Sequence, residues 1–169
     1  MMEALFYSKK NIYEEATPEK IKAIYDYCEG YKQYLDNAKT EREATEETIE
    51  IIKKADYTEY KLGDSVSVGD KKYFNQHGKS LIVFKVGEND LESEGIRIVA
   101  AHVDSPRLDL KQHPVYEDNG ACYLKTHYYG GVRKYQWVAT PLALHGTVAK
   151  KDGTTVDIKI GDEAGDPVF

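Results

Sequence analysis

The apolar residues of this chain change their spacing near Tyr60, from steps of three and four to steps of two. Nothing else in the sequence constrains the fold as strongly, because the first period belongs to helices and the second to strands. Thr17-Pro18-Glu19 supplies an N-cap, a proline at the first helical position and an acid at the positive end of a helix dipole. Behind it Ile21, Ile24, Tyr25, Cys28, Tyr31 and Leu35 line one face of a helix that ends near Asn37. Thr40-Glu41-Arg42-Glu43 is a capping box, so a second helix starts at Thr40. Its apolar face is Ala44, Thr48, Ile51, Ile52 and Ala55, and Glu46, Glu47 and Glu50 form its solvated side.

Past Tyr60 the pattern is that of strands. Residues 72–75 and 81–86, joined by Gln76-His77-Gly78-Lys79, predict a hairpin. An acidic loop follows over residues 88–95. Ile96-Arg97-Ile98-Val99-Ala100-Ala101 is almost continuously apolar at its end, which predicts a strand covered on both faces in the middle of an α/β sheet. Further strands are expected near residues 108–111, 121–128, 142–150 and 154–160, with turns at Asp118-Asn119-Gly120 and Asp152-Gly153. His113, ahead of Pro114, reads as a loop residue. Residues 161–169 read as a polar loop and the first apolar residues of a further element, with no helix or strand closing there. The shift from helix-rich and α/β-like to β-like near residue 110 predicts a boundary between two structural units.

Several function classes lose their support here. Net charge is −6, from 23 Lys+Arg against 29 Asp+Glu, whereas an electrostatic grip on nucleic acid needs a basic surface. The longest purely aliphatic or aromatic runs are Leu81-Ile82-Val83-Phe84 and Ile98-Val99-Ala100-Ala101, far short of the roughly 20 apolar residues of a membrane span. Residues 1–10 lack the apolar run of a secretory signal, and Cys28 and Cys122 form no CxxC pair. Two reduced cysteines in a cytoplasmic protein are the expectation. No H-E-x-x-H, G-x-S-x-G, Walker-A loop or G-x-G-x-x-G is present.

The segment that could carry chemistry is Ala101-His102-Val103-Asp104-Ser105-Pro106. At the C-terminal end of a buried strand it would face the crevice where open α/β sheets bind ligands. In extended backbone His102 and Asp104 project to one side and address one point. Imidazole ligates zinc well, and a carboxylate behind it can fix its tautomer. Pro106 holds Ser105 extended. A metal site and a hydrogen-bonded structural pair both satisfy this spacing. His77, in the hairpin turn, reads as solvated, and His127 and His145, in strands, read as satisfied core or surface residues. Tyr128-Tyr129-Gly130-Gly131, followed by Tyr135-Gln136-Trp137, fits either a β-turn with ordinary aromatics or the lining of an interface or pocket.

Read on to Arg107-Leu108-Asp109-Leu110-Lys111, the segment from His102 resembles the H-x-D-S-P-x-L-x-x-K element of the M18 family of zinc aminopeptidases. Tyr129-Gly130-Gly131, with Trp137 and residues 142–146, is similar to that family's second recurrent block, and the helix at Thr40 fits its N-terminal region. The resemblance implies an α/β fold: residues 1–110 as the N-terminal part of a zinc-exopeptidase catalytic domain, and residues 111–169 as the start of a β-rich insertion that builds dimers. It implies removal of N-terminal residues from peptides at a site with two Zn2+. His102 matches a zinc ligand and Asp104 the catalytic-site carboxylate that orients it. It further implies dimers assembling into tetrahedral dodecamers, in the cytoplasm, with no nucleic-acid or membrane partner.

Two departures from the family pattern qualify this. The bridging aspartate, the glutamate base and its neighbouring ligand, and the remaining Asp and His ligands of the family lie beyond the equivalent of Phe169. The chain is therefore expected to be an N-terminal portion, catalytically silent and prone to associate by itself. Trp137-Val138-Ala139-Thr140-Pro141-Leu142 also lacks the two acids and the arginine of the aspartyl-specific relatives' Trp-Phe-Asp-Arg-Asp-Leu, which implies the bacterial aminopeptidase 1 branch. Related zinc peptidases with H-x-D lack the Tyr-Gly-Gly block. A non-catalytic assembly or binding domain with a structural His-x-Asp pair is the alternative of a different class.

Overall fold

A computed structural model describes residues 9–169. The first eight residues of the stretch read above for a secretory signal lie outside the described ones. Two compact units divide between Asn37 and Ala38. In the first, α1 (Ile12–Glu15) is capped by Asn11, whose side chain accepts from Tyr13 N at 3.0 Å. The longer α2 (Pro18–Asn37) begins where the Thr-Pro-Glu signal placed it, with Thr17 Oγ1 accepting from Lys20 N at 3.3 Å.

The second unit opens with α3 (Glu41–Lys53). Thr40 is its N-cap, and both halves of the capping box form: Thr40 Oγ1 accepts from Glu43 N at 3.3 Å, and Glu43 Oε2 accepts from Thr40 N at 3.0 Å. The buried stripe of α3 is Ala44, Thr45 and Ile49, not the predicted Ala44-Thr48-Ile51-Ile52-Ala55 face. Ile51 is 45% exposed and Ala55 lies past the helix end. Thr45 is admitted to the interior because its hydroxyl donates to Glu41 O at 2.8 Å, leaving no polar atom unpaired there.

Helix α3 packs against a sheet of order β1-β2-β3. Strand β1 (Thr58–Glu59) runs parallel to β2 (Lys71–Gln76), which forms the expected hairpin with β3 (Ser80–Lys85). His77 and Gly78 both take positive φ, as a type I′ turn requires, and Gly78 N donates to Asn75 Oδ1 at 2.8 Å. Among the described residues the buried apolar core is Ala38, Ala44, Ile49 and Tyr73. Full burial of a side chain such as Ile49 contributes on the order of 1.5–3 kcal/mol. Tyr60 packs edge-on to Phe84 at 5.6 Å beside this core.

The short helix α4 (Leu91–Glu94) follows, and then the prediction for residues 96–101 fails. No strand forms there; Ile96, Ile98 and Val99 are exposed, Val99 at 99%. A parallel strand exists only through ladder partners on its edges and layers on its faces, and none of the described elements provides either to this segment.

The rest is two hairpins. Strands β4 (Arg107–Asp118) and β5 (Ala121–Tyr129) pair antiparallel around Asn119-Gly120, both at positive φ. Strand β4 passes through His113 and Pro114 rather than ending before them. The register shifts between Leu110 and Val115, His113 sits at φ 53°, and the bulge accommodates a proline that has no N–H to give the ladder. After α5 (Lys134–Trp137), β6 (Leu144–Ala149) pairs with β7 (Thr155–Ile160). Asp152 closes their turn by accepting from Thr154 N and Oγ1 at 3.0 and 2.7 Å, bonds that hold its carboxyl below the ordinary value of 3.8. Gly161, at φ 106°, lies where a Cβ would come within 2.9 Å of Ala143 Cα. As expected, no helix or strand forms over residues 161–169, and Leu142, just before β6, exchanges backbone hydrogen bonds of 2.9 and 3.0 Å with Phe169. No helix of the described residues is long and apolar enough to cross a membrane.

Candidate functional site

The stretch from His102 to Pro106 is irregular backbone leading into β4. Its chemistry is set by what surrounds Asp104. His102 Nδ1 lies 2.8 Å from the backbone oxygen of Asp104 and 3.2 Å from its Oδ1. Both neighbours are acceptors, so Nδ1 carries the proton and donates, and Nε2 keeps its lone pair. The imidazole is 81% exposed. His102 and Asp104, singled out from the sequence, are thus brought together around one ring.

The other carboxylate oxygen of Asp104 is also engaged. Tyr129 Oη donates to Oδ2 at 2.6 Å, across 25 positions of sequence. That bond is the largest influence holding the Asp104 carboxyl below its ordinary value of 3.8, with its own backbone and His102 adding to it. The same contact, an anion beside a phenol, raises Tyr129 above 10.0. Tyr129 reaches Asp104 because the β4–β5 register sets it directly opposite Arg107. The Arg107 guanidinium lies 4.1 Å from the Tyr129 ring centroid, in cation–π range. Arg107 is itself pinned: Nε donates to Asp109 Oδ1 at 2.7 Å, and Nη1 is 3.3 Å from Glu41 Oε2, too poorly aligned for a hydrogen bond. Gly130, at φ 76°, closes the arrangement, since a Cβ there would meet Pro106 Cα at 3.5 Å. The two sequence blocks are therefore one structural unit, held by Tyr129-Gly130 against Asp104-Pro106.

A second polar cluster joins the start of α3 to the β6–β7 hairpin. His145 Nδ1 bonds Glu43 Oε1 at 2.9 Å, and its Nε2 is 2.7 Å from Asp162 Oδ2, a close ion-pair contact bent away from hydrogen-bond alignment. Lys159 Nζ approaches the same Glu43 oxygen at 3.2 Å. Burial pushes the Glu43 carboxyl up, and the bonds from His145, Lys159 and Thr40 outweigh it, leaving its pKa below 4.5. His145 is buried as expected of a core histidine, but it is satisfied at Nδ1 alone, and Nε2 has no hydrogen-bond partner among the described residues. Its partner Glu43 was legible only as a capping residue.

The remaining histidines stand apart. His77 occupies a turn, His113 the bulge, and His127 Nδ1 bonds Tyr128 O at 2.6 Å while its ring stacks on Tyr128. Among the described residues no three His, Cys, Asp or Glu side chains converge as a metal cluster, and Cys28 and Cys122 are free thiols. His102 with its Asp104 support fits zinc in donor chemistry: a neutral imidazole whose far nitrogen is tied to a carbonyl and a carboxylate is the form that ligates through Nε2. It supplies one ligand where a zinc site takes three or four from protein.

Comparison with known proteins adds the family. Residues 34–169 match the family described as Aminopeptidase I zinc metalloprotease (M18). A protein of Clostridium acetobutylicum named a probable M18 family aminopeptidase 1 is 44% identical over 164 residues, covering 95% of this chain and 35% of that protein. The crystal structure of aminopeptidase I from Borrelia burgdorferi superposes with a TM-score of 0.89 at 38% identity, over 95% of this chain and 39% of that one. An M18 aminopeptidase structure from Thermotoga maritima gives 0.85 at 36% identity, over 96% and 35%. This chain thus spans little more than a third of the length of the relatives it matches.

Proposed function

The chain belongs to the M18 family of zinc aminopeptidases, and from that membership we propose that it forms the N-terminal part of an enzyme that releases N-terminal amino acids from peptides. His102 is the residue we assign to zinc, through Nε2, with Asp104 behind it setting the ring's orientation and tautomer. The observation that carries this is the division of labour in the imidazole: Nδ1 donates to Asp104, and the open nitrogen sits on a ring that is 81% exposed. When bound, zinc supplies Lewis-acid polarisation of the scissile carbonyl and activation of water. This chain's own contribution is to present one imidazole with Nδ1 tied to Asp104 and Nε2 open. The proposal assigns the remaining ligands of a two-zinc site and the general base to residues outside this sequence, so the 169-residue chain alone is silent.

The finer organisation follows the family plan. Residues 1–110 belong to the catalytic domain, and residues 111–169 begin a β-rich insertion for dimerisation within a larger homo-oligomer, a cytoplasmic dodecamer. The antiparallel hairpins of that stretch, β4–β5 running into it and β6–β7 within it, fit the β-rich character of such an insertion. Departure of Trp137-Val138-Ala139-Thr140-Pro141-Leu142 from the acidic pattern supports a preference other than acidic N-terminal residues. Peptidase assays on the longest natural form test the reading. His102→Ala should abolish or severely reduce release of N-terminal residues while circular dichroism stays unchanged; near-normal turnover at saturating zinc would overturn it in favour of a structural His-x-Asp pair.

A further inference from the structure

Asp104 has two carboxylate oxygens, and only one faces His102. A carboxylate on irregular backbone can rotate about its χ angles and release the imidazole, and no helix or strand includes residues 101–106. Something else must hold it. The other oxygen accepts from Tyr129 Oη at 2.6 Å, short and charge-assisted. Tyr129 in turn is fixed at backbone and ring. Its backbone ends the β5 ladder opposite Arg107, and its ring lies under the Arg107 guanidinium at 4.1 Å. Arg107 cannot swing away easily, because Asp109 holds its Nε at 2.7 Å and Glu41 faces Nη1. The chain of contacts therefore runs from the N-terminus of α3, through Arg107 and Tyr129, to Asp104 and His102.

We infer that Tyr129 is a positioning residue for the metal centre: its hydroxyl locks the Asp104 carboxylate in the orientation that presents His102 Nε2, with Arg107 holding the ring in place. This rests on His102 being a zinc ligand. Rigid outer partners of this kind tune affinity rather than create it, and their loss typically costs 10–100-fold. Tyr129→Phe removes one hydroxyl and keeps the ring under Arg107, so the hairpin is left intact.

The test is zinc affinity by chelator competition on the longest natural form, for wild type, His102→Ala, Tyr129→Phe, Asp104→Ala and the Tyr129→Phe/Asp104→Ala pair. Tyr129→Phe should bind zinc about 10–100-fold more weakly and shift the visible absorption of the Co2+-substituted protein. In the Asp104→Ala background the same change should do nothing further, because the hydroxyl acts only through that carboxylate. A merely structural tyrosine would weaken binding equally in both backgrounds, and that result overturns the inference. So does wild-type affinity in Tyr129→Phe while His102→Ala loses zinc. Unchanged zinc in His102→Ala would instead sink the metal assignment itself, and the positioning role with it. Should Tyr129→Phe not fold, Arg107→Met decides: a smaller loss that vanishes in Asp104→Ala supports the inference, and unchanged affinity refutes it.

Discussion

Replacing Glu43 separates two jobs that its carboxylate performs at once. Oε2 closes the capping box on Thr40, and Oε1 receives His145 and Lys159. The side chains of Glu43 and His145 are only 11% and 9% exposed, so water cannot substitute for a lost partner. Glutamine matches the size but has one acceptor oxygen where Glu43 uses two. If its oxygen caps the helix, it meets His145 only by donating from its amide to an unprotonated Nδ1, and it leaves Lys159 without an anionic partner. A hydrogen bond to a charged group contributes about 1.5–3 kcal/mol net. Lys159 is 59% exposed and its ion pair is screened, so it adds at most about 1 kcal/mol. Glu43→Gln should therefore cost about 2 kcal/mol, and Glu43→Ala about 1 kcal/mol more, through the capping box. Amide hydrogen exchange of α3, β6 and β7 reads this locally in the longest natural form. At about 1.4 kcal/mol per tenfold, exchange should accelerate about 30-fold in Glu43→Gln and about 100-fold in Glu43→Ala. His145→Ala should remove most of the difference between wild type and Glu43→Gln. Exchange within about twofold of wild type in both Glu43 variants would show that neither the cap nor the His145 contact stabilises this region. Equal losses in the two would assign the effect to the His145 and Lys159 contacts alone, with nothing from the capping box.

The same cluster predicts a pH response. Glu43 is held below 4.5 when folded, so its stabilisation is complete above that value and is lost as pH falls through the lower folded value. Protection of α3 should drop in that acid range in wild type and much less in Glu43→Gln. Asp104→Asn should keep secondary structure and bind zinc about 10–100-fold more weakly; affinity equal to wild type would contradict an orienting role. Gly161→Ala meets both a positive φ and the Ala143 backbone, and should loosen the β6–β7 hairpin by about 1–3 kcal/mol in amide exchange. Unchanged protection there would show that the loop relaxes freely.

What the sequence made legible was local. A cap needs only Thr40 and Glu43, and a type I′ turn only a residue pair such as Asn119-Gly120, so both were readable from a few neighbouring letters. Errors came where partners are distant. The face of α3 was assigned by counting apolar residues, yet the helix turns Thr45 and Ile49 inward, toward β strands distant in sequence. Residues 96–101 have the composition of a covered strand, but composition cannot supply a ladder partner. Pro114 signalled an interruption correctly and its form wrongly, since a bulge lets β4 continue. At the candidate site the spacing of His102 and Asp104 was visible, and the Tyr-Gly-Gly block was visible, but their contact was not. Tyr129 meets Asp104 through the β4–β5 register, a property of pairing rather than of either segment. A cross-strand alignment around Asn119-Gly120 sets Tyr129 opposite Leu110, and only the register shift between Leu110 and Val115 brings it to Arg107 beside Asp104.

Zinc content reads the assignment of His102 as a ligand most directly. Metal analysis of the longest natural form, purified with and without His102→Ala under identical zinc exposure, addresses it without relying on turnover. Loss of about one zinc per chain in the variant, with the fold intact, is the predicted result. The same zinc content in both proteins would contradict it and leave His102 and Asp104 as a structural pair.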